Sequence, residues 1–191
     1  LGMRLILARN GIEPGSVACR MRLATTRCTN ALLEHAGSPP VLFVTAGFPD
    51  LLEIGDQRRT GLFDLVPRKR ASLEGPVVEV AERTDRDGEI IRSPDHEAIV
   101  SAAKDALADG HRSATVSFLN SSLNGANERA VVSILREAGF EFVVGSGATH
   151  PFPKWLPRCE SAVTEAYLSP ILRQYLDSVG KGMGDGGELL V

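Results

Sequence analysis

The spacing of apolar positions changes several times along the chain, and each change marks an element. Leu1, Met3, Leu5 and Ile6 form a helical stripe that stops at Gly11, a residue able to take the left-handed conformation that ends helices. The chain therefore opens on what reads as the end of a helix cut into. Residues 16–24, SVACRMRLA, alternate apolar and polar as a half-buried strand does, and residues 29–36 return to a short helical pattern closed by Gly37. VLFVTA, residues 41–46, is a β-rich run of the kind buried on both faces of a sheet. Gly47 and the short helical stretch FPDLLEIG follow it, which makes a β-α-β-α order. Residues 56–72 are basic and poorly periodic, as a loop is.

The second half begins with VVEVAERT and GEIIR, which flank Asp85-Arg86-Asp87-Gly88. Asp-Gly favours a tight turn because glycine accepts positive φ at low cost, so an antiparallel hairpin is expected. A helix then runs from Ser93-Pro94 to Asp109, with Ser93 as N-cap and Gly110 as its stop. ATVSFL (114–119) reads as a buried strand, Asn124 caps a helix through Ala138, Gly139 ends it, and FEFVVG is a further strand. Strand, helix and strand in this order predict a parallel βαβ unit. An amphipathic helical pattern from Arg158 to Val179 contains Pro170, which removes an i−4 hydrogen bond and predicts a break near Ser169. Residues 179–191 are glycine-rich and end on Leu-Leu-Val, which reads as a linker entering a strand.

Composition narrows the function classes. A net charge of −3 provides no basic field for a phosphate backbone or an anionic membrane surface, so neither nucleic acid nor membrane is an expected partner. No apolar run approaches the roughly 20 residues that span a bilayer. Cys19, Cys28 and Cys159 are odd in number and widely spaced, which suits reduced thiols in a cytoplasmic compartment. The four histidines lack the i, i+4 spacing of a helical metal site, so no metal site is expected.

The chemistry-bearing candidates lie at element ends. In LATTRCTNALLE, residues 23–34, Thr25, Thr26, Thr29 and Asn30 stand at a strand-to-helix junction. Free backbone N–H groups and the helix dipole favour anions there, and hydroxyls add donors. One such residue suffices as an N-cap, so four leave two readings open, capping or contact with a ligand. Arg59 offers a guanidinium suited to carboxylate or phosphate, whereas Arg68, Lys69 and Arg70 read as a solvated run. Asn120, Ser121, Ser122, Asn124 and Asn127 follow a strand's carboxyl end, where a polar turn and a ligand site are equally expected. No Walker-type, dinucleotide-binding or nucleophile-elbow motif occurs.

Several stretches together resemble the N-terminal region of the hydantoinase A and 5-oxoprolinase family, which includes the ATP-dependent subunits of acetone and acetophenone carboxylases. The family motif His-Gly-Thr-Thr-x-x-Thr-Asn-Ala-Leu is met by Thr25, Thr26, Thr29, Asn30, Ala31 and Leu32, with Leu23 and Ala24 where histidine and glycine are usual. A second motif, Thr-x-Gly-Phe-x-Asp-x-Leu-x-Ile-Gly-x-Gln-x-Arg, is met by Thr45, Gly47, Phe48, Asp50, Leu52, Ile54, Gly55, Gln57 and Arg59. Asn124 and Glu128 match a third pattern, and Arg158, Ala166, Tyr167, Leu168 and Pro170 a fourth.

The resemblance implies an α/β fold, a partial ribonuclease H-like lobe of the actin-like ATPase design with a mixed sheet, a β-hairpin insertion and a βαβ unit. It implies that residues 1–178 form the N-terminal-type domain and that residues 179–191 link to a second lobe. The implied activity is ATP-dependent activation of a cyclic amide carbonyl for hydrolysis, or of a ketone for carboxylation, with ATP and Mg as cofactors. Thr25, Thr26, Asn30 and Arg59 are its implied site residues, with Thr29 as plain cap. The family's Asp-x-Gly-Gly-Thr phosphate loop would precede Leu1 and a second phosphate loop would follow Val191. The chain is thus expected to work as a fragment or subunit, completed by a second lobe or a partner of the hydantoinase B type. A non-catalytic interaction module is the competing expectation.

Overall fold

A computed structural model describes residues 2–13, 20–57, 72–150, 152–183 and 188–190. The chain divides into two compact units, residues 38–169 and a second made of residues 1–37 with 170–191. In the second unit, helix α1 (Gly2–Arg9) ends where Gly11 takes φ +68°, as its sequence predicts. Of the expected strand at 16–24, residues 20–24 are described, and strand β1 (Arg20–Arg22) ends two residues early, before helix α2 (Arg27–Leu33).

The larger unit is built on β2 (Val41–Thr45), whose five residues are all buried. A run of β-branched and aromatic side chains suits a strand covered on both faces. Helix α3 (Leu51–Ile54) follows, and then β3 (Val77–Val80), which pairs in parallel with β2 in the register Leu42↔Val77. The run VVEVAERT thus does not form one hairpin arm. Its first half joins the sheet, and only β4 (Arg83–Thr84) pairs antiparallel with β5 (Ile90–Arg92), across the Asp85–Gly88 turn.

Helix α4 (His96–Ala108) starts two residues later than Ser93 predicts. Asp95 is its N-cap, because its extended backbone lets the carboxylate accept from Glu97 N at 2.9 Å and Ala98 N at 3.3 Å. Strand β6 (Ser113–Ser117), helix α5 (Ala126–Ala138) and strand β7 (Phe142–Gly145) form the expected parallel βαβ unit. Gly139 ends α5 at φ +113°. A short helix α6 (Ser146–Thr149) and the long α7 (Trp155–Met183) follow.

No break occurs at Pro170, and α7 runs through it. One missing N–H is a local loss, and the preceding turns are held where Ala162 and Ala166 pack on Val144. Strand β8 (Glu188–Leu190) then pairs in parallel with β1, so residues 188–190 of the glycine-rich tail are a strand.

The sheet order is β3-β2-β6-β7 and every pairing in it is parallel, where the sequence suggests a mixed sheet. Antiparallel pairing is confined to the separate β4–β5 hairpin. Alternation along the strands divides the core. Val41, Phe43, Ala114 and Val116 face α4 and α5, meeting Ile99, Ala103, Val131 and Leu135. Leu42 and Val44 face the other way, toward Cys159 and Val163 of α7. Burying each of these larger side chains contributes about 1.5–3 kcal/mol.

Candidate functional site

The threonine cluster sits where β1 turns into α2. That helix begins at Arg27, so Thr29 lies inside it and is not the cap. Thr26 holds the N-cap position with φ −97° and ψ 10°, a conformation that aims no side-chain hydrogen bond at the helix amides. The hydroxyl bonded to a backbone amide is that of Thr25, which accepts from Arg27 N at 3.2 Å. Thr26 and Asn30 are both exposed and stand four residues apart, as neighbours on one helix face. The structure thus brings Thr25, Thr26 and Asn30 to one short segment. Arg59 lies outside the described residues, as do Arg68, Lys69 and Arg70.

The carboxyl end of the parallel sheet is the second place where ligand chemistry is expected. The chain passes from β2 outward to β3 and then returns to β6 on the opposite side, so the order switches between β2 and β6. At that point Thr45 Oγ1 accepts from Leu119 N at 2.9 Å and donates to Glu82 Oε1 at 2.5 Å. Glu82 Oε2 accepts from Asn127 Nδ2 at 2.8 Å. Gly47, at φ +93°, donates its N–H to Glu79 at 2.6 Å. Phe48 meets Trp155 edge to face at 5.0 Å and lies under the Arg83 guanidinium. The stretch from Thr45 to Gln57 therefore has structural roles: Leu52 packs on the cluster of Leu42, Val44, Cys159 and Val163, and Gly55 takes φ +59° to close α3.

The asparagines after β6 have a common role. Asn120 Nδ2 donates to Thr84 O at 3.0 Å, Asn124 Nδ2 to Gly88 O at 2.9 Å, and Asn127 Nδ2 to Arg92 O at 3.0 Å as well as to Glu82. Three carboxamides clamp the hairpin onto the sheet's carboxyl end. Asn124 also accepts from Ala126 N at 3.1 Å, although the N-cap residue of α5 is Gly125. A ligand reading of these residues gives way to a structural one, because each amide donor already has a backbone acceptor.

Glu128 and Arg158, which the sequence matches to family patterns without giving them a role, form a group beside them. Glu128, 3% exposed, accepts from Gly147 N at 2.6 Å and Ser146 Oγ at 2.9 Å, with Phe118 N at 3.4 Å. Arg158, 1% exposed, donates to Ser146 Oγ, Phe118 O and Phe152 O at 2.9–3.1 Å. Burial lowers the guanidinium's pKa from its ordinary value, and the nearby Glu128 charge opposes that shift. Glutamate after asparagine and a lone arginine opening a helix are weak sequence signals, and only the turns bring them together. Among the described residues no group of three His, Cys, Asp or Glu side chains is placed to hold a metal ion, and no helix is long and apolar enough to cross a membrane.

Residues 3–139 match the family model of the hydantoinase/oxoprolinase N-terminal region. The chain is 34% identical over 190 residues to a 5-oxoprolinase of Saccharomyces cerevisiae, covering 85% of this chain and 15% of that protein. Among solved structures it resembles an ATP-dependent caprolactamase from Pseudomonas jessenii, with a TM-score of 0.80 and 23% identity over 98% of this chain and 28% of that one. A nucleotide-free acetone carboxylase gives a TM-score of 0.76 and 22% identity, over 95% and 28% of the two chains. The structural likenesses establish the α/β fold, and this chain spans about a seventh of the yeast relative's length. Because the family model covers well over half of the chain, the protein belongs to the hydantoinase/oxoprolinase N-terminal region family.

Proposed function

We propose that this chain is a working part of an ATP-dependent enzyme that activates a cyclic amide carbonyl for hydrolysis, within an actin-like, ribonuclease H-type lobe. The observation that carries the reading is the exposed pair Thr26 and Asn30, adjacent on α2, with a Thr26 hydroxyl that caps no amide. Polar groups not engaged in capping are free to meet a ligand. The 34% identity to the yeast 5-oxoprolinase supports a cyclic amide as the substrate class, since oxoproline is one.

ATP with Mg is the proposed cofactor, and the residues here fit only a margin of its site. The hydroxyls of Thr25 and Thr26 suit a phosphate or carbonyl oxygen, while the chain contains no Asp-x-Gly-Gly-Thr loop to surround the phosphates. When bound, ATP supplies phosphoryl activation of the carbonyl oxygen. Thr25, Thr26 and Asn30 would orient the γ-phosphate or that carbonyl, and Arg59 would offset developing negative charge. The remaining nucleotide contacts are assigned to a second lobe or a subunit of the hydantoinase B type.

Leu23 and Ala24, standing in place of the usual histidine and glycine, favour a second reading: ATP-dependent carboxylation of a ketone. Loss of chemistry altogether, leaving a docking lobe, is the third. Assaying the complete protein with hydantoin, 5-oxoproline, and acetophenone plus bicarbonate separates the three. The double substitution Thr26→Ala, Asn30→Ala is expected to abolish substrate-stimulated ATP hydrolysis, and unchanged turnover would overturn the assigned roles.

A further inference from the structure

Beside the Glu128 network, the turn after β6, the outer face of α5 and the β7–α6 turn surround a depression of about 440 Å³. That volume lies within the range of small-molecule sites. On its floor Ser121, 6% exposed, has a hydroxyl with no hydrogen-bond partner. A buried hydroxyl left unpaired costs stability, so it calls for an explanation.

The floor is kept open by glycine. A Cβ on Gly147 would stand 3.2 Å from Glu128 Oε1 and 3.8 Å from Ser121 Oγ, and one on Gly145 would stand 3.1 Å from Glu128 Oε1. On Gly125 it would meet Arg129 Nη1 at 2.9 Å, so the missing side chain is what lets this guanidinium lie back over the turn.

Arg129 and Arg136 both line the depression. Arg136 makes one long bond, to Val143 O at 3.3 Å, and among the described residues Arg129 has no acceptor. Glu128 lines the depression too, but its oxygens already accept from Gly147, Ser146 and Phe118, and Arg158 compensates its charge through Ser146. Glu137, bonded to Ser133 Oγ at 3.0 Å, is the nearby acid on the α5 face. What remains unengaged around the concavity is one hydroxyl and two guanidinium forks, while the acceptors in its wall, Glu128 and Ser133, already have partners.

We infer that this depression binds a small oxyanion, the carboxylate or phosphate group of a metabolite, held by Ser121, Arg129 and Arg136. The site is built from residues of the larger unit alone, and it requires no ATP hydrolysis to be read. Titrating the chain with inorganic phosphate and, separately, with glutarate distinguishes the two sources of oxyanion. Amide NMR is expected to show saturable shifts at Gly125, Ser121 and Gly147, with the Asp85–Gly88 hairpin turn of the same unit unmoved, for at least one of them. Arg129→Gln and Ser121→Ala should each weaken binding about tenfold, Arg129→Lys less so. Arg129 is exposed and the Ser121 hydroxyl has no partner to lose, so both variants keep the fold, which thermal unfolding checks. No saturation by either probe up to about 20 mM, or equal binding by an Arg129→Gln, Arg136→Gln double variant, would overturn the site.

Discussion

Glu128 and Arg158, both buried, are joined through one hydroxyl: Ser146 Oγ donates to the carboxylate at 2.9 Å and accepts from Arg158 Nε at 3.1 Å. The three residues lie on α5, α6 and α7, and the arrangement also fixes Phe118 at the end of β6 through both its N–H and its C=O. A buried charge pair of this kind is weak evidence of net stability, but breaking it is costly because it strands the remaining charge.

Glu128→Ala is therefore expected to destabilise the protein by about 3–5 kcal/mol, the usual cost of leaving a buried partner uncompensated. Ser146→Ala, which leaves both charges in place without the bridge, should cost less, about 1–3 kcal/mol. Urea unfolding of the two variants checks the order. Equal losses would mean that the hydroxyl, and not the charge, holds the turns together.

The asparagine clamp makes a different prediction. Asn127 serves the Glu82 carboxylate and the Arg92 carbonyl at once, whereas Asn124 holds only Gly88 on the hairpin. Asn127→Ala should cost about 1–3 kcal/mol, because it deprives a buried carboxylate oxygen of its donor. Hydrogen exchange in β5 should accelerate in Asn127→Ala and in Asn124→Ala, with the larger global loss in Asn127→Ala. Unchanged exchange at Ile90 to Arg92 in either variant would show that the hairpin is held by something other than these amides.

How far the sequence reveals this arrangement depends on the range of the interaction. β2, β6 and β7 are legible because each is a short β-rich run between turn residues, and α4 and α5 because apolar spacing and a terminal glycine agree. Which residue caps a helix depends on one backbone angle, so Ser93 and Thr29 are displaced by Asp95 and Thr26. The split of VVEVAERT is set by tertiary pairing, since Val77 to Val80 satisfy their backbone on β2 before the chain reaches the hairpin turn. The Thr45–Glu82–Asn127 chain joins residues 37 and 45 positions apart, and nothing local marks such a contact. Of the candidate site, the sequence identifies a surplus of polar side chains at the start of α2, and the structure adds which hydroxyl is engaged.

Cys159 gives a prediction with a defined pH direction. Its thiol is fully buried on the α7 face of the sheet, and burial pushes its pKa up from 9.0 to about 12, against a smaller opposing effect of the Ser117 hydroxyl. Below pH 9 the thiol is protonated in both folded and unfolded chains, and it contributes nothing to the pH dependence of stability. Between pH 9 and 12 the unfolded chain releases this proton while the folded one keeps it. Unfolding is then favoured by rising pH, by about 1.4 kcal/mol for each unit over most of that window. Stability measured by urea unfolding from pH 8 to 11 should fall accordingly, and Cys159→Ala, though less stable at pH 8, should show a shallower decline. At pH 8 the buried thiol should also resist iodoacetamide under native conditions, while the half-buried Cys28 reacts. Rapid native alkylation of Cys159, or an identical pH slope in Cys159→Ala, would mean that the core on the α7 face opens to solvent and that the thiol titrates near its ordinary value.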